Sequence, residues 1–411
     1  MDADLMDMIT DVEIKHYRGI EEINFPCNSI NIIVGPNNTG KSSILESIWV
    51  TLSSLNDYED ALNTNFNYVS NDNSFKYLMY KKGTKSELIL KLSGNKNLEL
   101  DILYCDNNYP IEVAEFFENF LLSFKEIVGY EILESTKDYE YNLFKLINEL
   151  QRTEKIKTDD KKIQYILNDI SDKITSRREK MRKDFTESEK IFLLSKLNKK
   201  LISVYFKTDI LGDRNPLPIY QEQNKSAYVI PFMISSPKIA EDISSLYIKL
   251  VETKRLENVL AYLKNRISYF EDVREIDGEL FILLKNLDEP LPLTFMGDGF
   301  KALLKLAFVA PLINNGVVVF EEPEVSMHPG YLDILADEIV SHSENSQFFI
   351  STHSSELIEY LLKKAGKKGA IDSINIIKLR RLYDGEIERQ VFSGEEAHDE
   401  IKTIKRDLRG H

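Results

Sequence analysis

One stretch, Gly35-Pro36-Asn37-Asn38-Thr39-Gly40-Lys41-Ser42, limits what this chain can fold into more than any other. It meets the phosphate-binding pattern GxxxxGK(S/T) at every fixed position, and that pattern carries meaning only between a strand and a helix. Both flanks supply it. Ile30-Asn31-Ile32-Ile33-Val34 is a β-branched run that reads as a buried parallel strand. Ile44, Leu45, Ile48 and Trp49 recur at helical spacing, so the glycine loop opens a helix. In such a turn the loop N–H groups and the positive helix end cradle phosphates. Gly35 and Gly40 permit backbone conformations that a Cβ resists. Lys41 is placed to bring a point charge to β- and γ-phosphates, and Ser42 a hydroxyl to Mg²⁺. The stretch reads as a nucleotide site.

The rest of the composition narrows the setting. The 411 residues can bury a large core or hold two or three domains. Hydrophobic residues make up 43% and charged residues 29%, as in globular proteins rather than disordered ones. Fifty-two Lys and Arg against 67 Asp and Glu leave a net charge of −15, which argues against a general electrostatic grip on a polyanion. Any nucleic-acid contact is therefore expected to be local. Cys27 and Cys105 form neither a disulfide framework nor a metal-ligand spacing, which suits a reducing cytoplasm. The acidic start, Met1-Asp2-Ala3-Asp4-Leu5, lacks the form of a secretion signal. The longest apolar stretch, Leu306 to Ile313, is too short to cross a bilayer.

Along the chain, residues 11–16 and 21–25 alternate like strands about an Arg18-Gly19 turn. Residues 55–73 read as a polar surface loop. Strands are expected at Phe75 to Tyr80, Glu87 to Leu92 and Leu98 to Tyr104, the last two forming a half-exposed antiparallel sheet over the nucleotide lobe. From 111 to 206 the pattern turns helical and charged. Ile163, Leu167, Ile170, Ile174, Met181 and Phe185 follow a rough heptad, consistent with a hairpin or short coiled-coil arm. Thr186 and Glu189 resemble a capping box for a second helix through Ile191-Phe192-Leu193-Leu194. A strand is expected at Ala227 to Phe232, and a long helix from Ser236-Pro237 to residue 268.

The second half of the site lies near the C-terminus. Gly316 to Phe320 is an apolar strand that ends in Glu321-Glu322-Pro323-Glu324. Parallel sheets bind ligands at the carboxyl ends of their strands. Glu321 is therefore expected near Mg²⁺, and Glu322 is expected to orient or deprotonate water. A further strand, Gln347 to Ser351, ends in Thr352-His353-Ser354, which brings His353 toward the γ-phosphate or the water. Between the glycine loop and the carboxylate strand, Gly297-Asp298-Gly299 opens a helix from Ala302 to Leu312, as either an anion site or a simple turn.

These residues together resemble the ABC-type ATPase heads of RecF, SMC and OLD-like proteins, AAA-type ATP-binding proteins. The resemblance rests on Tyr17-Arg18-Gly19-Ile20, GPNNTGKSS, FMGDGFKALL, VVVFEEPEVSMHP and ISTHSSELI, in that order, and covers residues 11–54 and 275–393. It implies an α/β, two-lobed P-loop ATPase head, with a mixed-sheet core, an antiparallel β-subdomain and a helical insertion. The parts would be 1–110, with the P-loop and β-subdomain; 111–274, a mainly helical insertion; and 275–411, with signature, Walker B and switch histidine. ATP and Mg²⁺ would be held by Gly35, Pro36, Asn37, Asn38, Thr39, Gly40, Lys41, Ser42 and Ser43, with Ser42 and Glu321 on the metal. Glu322, His353 and Lys41 would be catalytic. Gly297, Asp298 and Gly299 would form a signature loop closing on the partner's nucleotide, with Glu324 to His328 crossing the dimer interface. Met296 stands where the signature serine is usual, and Glu321 replaces the usual aspartate, so slow hydrolysis is implied. Gln221 and Gln223 are the candidates for the metal-sensing glutamine. About 20 residues follow the last expected strand, ending Asp407-Leu408-Arg409-Gly410-His411, too few for the Toprim domain of OLD-like nucleases.

The functional expectation is a cytoplasmic, homodimeric ATPase switch for DNA maintenance or anti-phage defence, acting with a separate nuclease or toxin effector. The alternative is an ATP-loaded scaffold that hydrolyses little. A transporter subunit would carry a serine-containing signature and a compact head, so it fits less well. DNA contact, if any, would fall on Lys173, Arg177, Arg178, Lys180, Arg182 and Lys183, although a solvated helix face explains those charges equally well.

Overall fold

The computed structural model describes residues 8–55, 75–105, 190–208, 217–221, 232–235, 243–313 and 315–404. Two sheets and the helix between them organise the molecule. The first sheet has seven antiparallel strands in the order β2-β1-β4-β5-β6-β7-β8. They are β1 (Ile9–Tyr17), β2 (Ile20–Pro26), β4 (Lys85–Leu92), β5 (Lys96–Cys105), β6 (Lys190–Leu197), β7 (Lys200–Thr208) and β8 (Leu217–Gln221). Along β4 alternate residues are buried, as a sheet with one covered face requires. The second sheet runs β16-β15-β3-β14-β13-β9 and is parallel except for the β15–β16 hairpin. Its strands are β3 (Ile30–Val34), β9 (Phe232–Ser235), β13 (Gly316–Glu321), β14 (Ser346–Ser351), β15 (Ile374–Arg381) and β16 (Ile387–Ser393).

Strand parity explains why β3, β13 and β14 are buried along their whole length. Val318, Phe320, Phe348, Ile350, Ile30 and Ile32 point into one core, packed against helices. Val317, Val319, Phe349 and Ile33 point into the other, packed against α1 (Lys41–Ser53) and the seven-stranded sheet. A strand covered on both faces has no solvent-facing position to alternate with. The same sandwich surrounds α1, where Glu46, Ser47, Thr51 and Ser53 are buried along with the apolar residues. The hydroxyls of Ser47, Thr51 and Ser53 donate back to the carbonyls of Ile44, Ser47 and Trp49 within the helix. Glu46 meets Arg18 of the β1–β2 turn at 3.0 Å, fastening that turn to the helix. Buried Gln347 joins the two sheets: its amide donates to Ile9 O and Asn28 O, and its carbonyl accepts from Ile9 N.

The remaining helices are α2 (Ile243–Glu252), α3 (Leu256–Arg266), α4 (Asp298–Val309), α5 (Pro329–His342), α6 (Ser355–Lys368) and α7 (Gly394–Ile404). A small sheet of β10 (Phe270–Ile276), β11 (Glu279–Leu284) and β12 (Leu291–Pro292) packs beside them.

Three expectations are corrected. Phe75 to Tyr80 is not a strand but short 3-10 turns, of which only Met79 bridges to Tyr17. The helix expected through Ile191-Leu194 is strand β6, because β5 and β7 flank it and supply its backbone partners. A short apolar run does not reveal its own period. The long helix to residue 268 is two helices, broken where Lys254 takes a left-handed φ of 56°. Within 111–274 the described residues thus include strands β6 to β9 as well as helices. The heptad 163–185, the basic cluster 173–183, the loop 56–73 and Gln223 lie outside the described residues, and Gln221 closes edge strand β8. Among the described residues no helix is long and apolar enough to cross a membrane.

Candidate functional site

The register of the parallel sheet assembles the site. Glu321 pairs with Ser351, and Ser351 pairs with Ile33. The segments that follow β3, β13 and β14 therefore leave the sheet at one edge, their carboxyl ends. These segments are the loop Gly35–Gly40, the turn starting at Glu322 and the Thr352-His353 link.

The glycine loop is tightly folded. Gly35 has φ +153° and Gly40 φ +90°, and Asn38 is left-handed at φ 64°. A Cβ on Gly35 would lie 2.6 Å from the Leu379 carbonyl of β15. The Thr39 hydroxyl donates to Pro36 O at 2.8 Å. Lys41, in the first turn of α1, bends its ammonium back to donate to Gly35 O at 2.9 Å and Pro36 O at 3.0 Å. Burial lowers the Lys41 pKa, opposed by the negative charges of Glu322, Glu324 and Glu321. All three carboxylates thus act on the ammonium. Ser42 and Ser43 follow it at the half-buried start of α1.

Glu321 is buried at the tip of β13. Glu322 turns away with a left-handed φ of 46°, its N–H donating to Ser351 O at 3.0 Å. That turn brings Glu322 Oε1 within 3.4 Å of His353 Nε2. Ser354 caps α6 by accepting from Leu357 N, so the histidine sits immediately before a fixed helix start. A carboxylate beside an imidazole can orient a water and hold its proton. The oxygen donors Ser42 and Glu321 suit Mg²⁺, which takes few protein ligands and completes its shell with phosphate and water. Among the described residues no group of three or more His, Cys, Asp or Glu is placed to hold a metal unaided.

Lys41, Glu321, Glu322 and His353 are thus brought together. Gly297, Asp298 and Gly299 make different contacts. Gly297 precedes α4 with open space where a Cβ would stand, and Asp298 meets Lys301 at 3.3 Å. Gly299 packs so closely on the turn after Glu324 that a Cβ would lie 2.4 Å from Ser326 O.

Two residues of this neighbourhood gave no sequence signal in that role. Arg381, at the end of β15, donates from Nε to Asn38 O at 2.9 Å and so holds the apex of the glycine loop. Only the β15–β3 pairing could have revealed it. Glu324, grouped by resemblance with an interface-crossing loop, also reaches inward, where its Oε1 accepts from His353 N at 2.7 Å.

A glycine loop between a parallel strand and a buried helix, facing a carboxylate strand and a histidine at the same sheet edge, defines a P-loop nucleotide-binding head of ABC type. Residues 30–359 match the family described as "AAA domain, putative AbiEii toxin, Type IV TA system", and the chain belongs to that family. An ATP/GTP phosphatase of Helicobacter pylori is 21% identical over 409 residues, covering 95% of this chain and 99% of that protein. The DNA replication and repair protein RecF of Francisella tularensis is 34% identical over 91 residues, 22% of this chain and 25% of its own length. Among solved structures, the Smc head domain with an extended coiled coil from Pyrococcus furiosus, bound to the C-terminal domain of ScpA, aligns with a TM-score of 0.46 at 15% identity, covering 98% of this chain and 100% of that one.

Proposed function

We propose that the protein is a Mg²⁺-dependent ATPase switch in which two copies close around ATP and separate after hydrolysis. The observation that carries this is the convergence of Lys41, Glu321, Glu322 and His353 at one edge of a parallel sheet. Lys41 exchanges the Gly35 and Pro36 carbonyls for the β- and γ-phosphates, while the loop N–H groups bind the remaining oxygens. Ser42 and Glu321 hold Mg²⁺, which when bound neutralises developing phosphate charge. Glu322 polarises the attacking water, and His353 steadies it. Gly297 to Gly299 reach the nucleotide of the second copy. RecF kinship and the AbiEii-type family favour a role in DNA maintenance or phage defence, exerted through a separate nuclease or toxin. Met296, where the signature serine is usual, favours a second reading, an ATP-loaded scaffold with slow turnover.

Glu322→Gln tests both readings. The amide keeps the reach but cannot carry the charge, so hydrolysis stops and ATP-Mg²⁺ traps a symmetric dimer. Mass by light scattering should double with ATP-Mg²⁺ and return without it. A mass that ignores ATP refutes the clamp and leaves the scaffold.

A further inference from the structure

Three glutamates crowd the segment Glu321-Glu322-Pro323-Glu324, and the proposed reaction uses only two of them. The third lies under the site. Glu324 faces inward, and burial raises its pKa against the opposing pull of the His353 N–H and the Thr352 hydroxyl. Desolvating a carboxyl is costly, so its retention there calls for a compensating role.

The surrounding geometry indicates that role. Glu324 Oε1 accepts the backbone N–H of His353, the residue whose side chain faces Glu322. The contact crosses from the turn after β13 to the link after β14. Those two segments are otherwise tied at this end through Glu322 N and the Ser351 carbonyl and hydroxyl. The turn bearing Glu324 is itself stiff. Val325 N donates to Glu322 O and Met327 N to Glu324 O, and Ser326 is left-handed at φ 63°. Its outer side is the Ser326 carbonyl on which Gly299 of α4 rests. We propose that Glu324 is a positioning residue of this site: its carboxyl fastens the switch loop at His353 N to the turn bearing Glu322, so that imidazole and carboxylate stay in register. The fastening also connects the Gly297–Gly299 helix start, through Ser326, to the histidine. Whatever presses on that helix start reaches His353 by way of Glu324. Glu324 itself touches neither nucleotide nor metal in this scheme.

The proposal rests on the ATPase reading for its kinetic consequence but not for its structural one, and the test separates them. Glu324→Leu removes the acceptor, whereas Glu324→Gln keeps an oxygen that can accept from His353 N and a polar group for Thr352. The first readout, independent of turnover, is amide hydrogen exchange at His353 by mass spectrometry of the nucleotide-free full chain. Loss of one buried hydrogen bond should speed exchange there about 5- to 10-fold in Glu324→Leu, with Glu324→Gln restoring most of the protection. The second is the split between nucleotide affinity and turnover. Displacing a catalytic group by about an ångström costs on the order of 100-fold in rate. Glu324→Leu should therefore lower kcat about 10- to 100-fold while binding of a fluorescent ATP analogue changes less than about 3-fold, and Glu324→Gln should recover most of the rate. Unchanged exchange at His353 in Glu324→Leu overturns the tether. A Glu324→Gln protein as slow as Glu324→Leu, with exchange restored, overturns it in favour of a charge role on Lys41 or the metal. Absence of turnover in the unaltered protein refutes the ATPase reading alone, and the exchange result then decides the tether.

Discussion

The two fixed glycines of the loop should not be equivalent, and the structure says which is dearer to replace. Gly35→Ala asks an L-residue to adopt φ +153° and sets its methyl 2.6 Å from Leu379 O and 2.9 Å from Thr39 Oγ1. The carbonyl belongs to β15, which is paired on both sides by β3 and β16 and cannot recede. A sparsely allowed backbone costs about 1–3 kcal/mol. Forced overpacking adds about 1–3 kcal/mol. Lower entropy of the unfolded chain returns about 0.4–1 kcal/mol. The net loss is then about 1–5.5 kcal/mol. Gly40→Ala, at φ +90°, meets the Ile387 Cδ1 tip at 3.0 Å and Ile20 Cγ1 at 3.3 Å. These are side-chain atoms, and the nearest is the movable end of a flexible chain. The loss there should be about 1–2 kcal/mol. Urea unfolding of the nucleotide-free variants, followed by far-UV circular dichroism, measures both. If Gly40→Ala is the more destabilising, or Gly35→Ala costs under about 0.5 kcal/mol, the packing of the loop on β15 is wrong.

Two further outcomes follow from the same site. Lys41 has a lowered pKa because of burial, and phosphate charge favours its ammonium form, so nucleotide binding should raise that pKa again. Binding should then take up protons at alkaline pH below the ordinary 10.5 and weaken as pH rises through the lowered value. Calorimetry in buffers of differing ionisation enthalpy detects this, and Lys41→Ala should bind weakly with no such uptake. Arg381→Ala frees the Asn38 carbonyl at the loop apex, and we expect nucleotide affinity to fall about 5- to 10-fold, with kcat changed less. Arg381→Lys should recover little, because a single flexible ammonium does not reproduce the Nε donor geometry. Fluorescent-nucleotide titration checks both, and equal affinity in all three proteins would remove Arg381 from the loop's support.

What the sequence determined alone was the chemistry carried by contiguous backbone. The glycine loop, its buried strand and its helix, the strand ending in Glu321-Glu322, and the strand ending at His353 were all legible, because each is a local run of residues with its own conformational demand. Period-2 alternation likewise exposed β4 and β5. Tertiary structure decided the rest. Ile191-Leu194 became a strand only because β5 and β7 lie beside it, whereas Phe75 to Tyr80 curled into 3-10 turns that meet the first sheet through a single β-bridge at Met79 and isolated hydrogen bonds at Leu78 and Tyr80. Lys254 broke a helix with no glycine or proline to announce the break. Glu46 and Gln347 are polar residues whose burial depends on partners distant in the chain, Arg18 and Ile9. Arg381 reaches Asn38 across 343 positions, and Glu324 turns to His353 across 29. Such contacts belong to sheet order and register, which arise from summed burial over both cores and leave no mark on the short stretches they join.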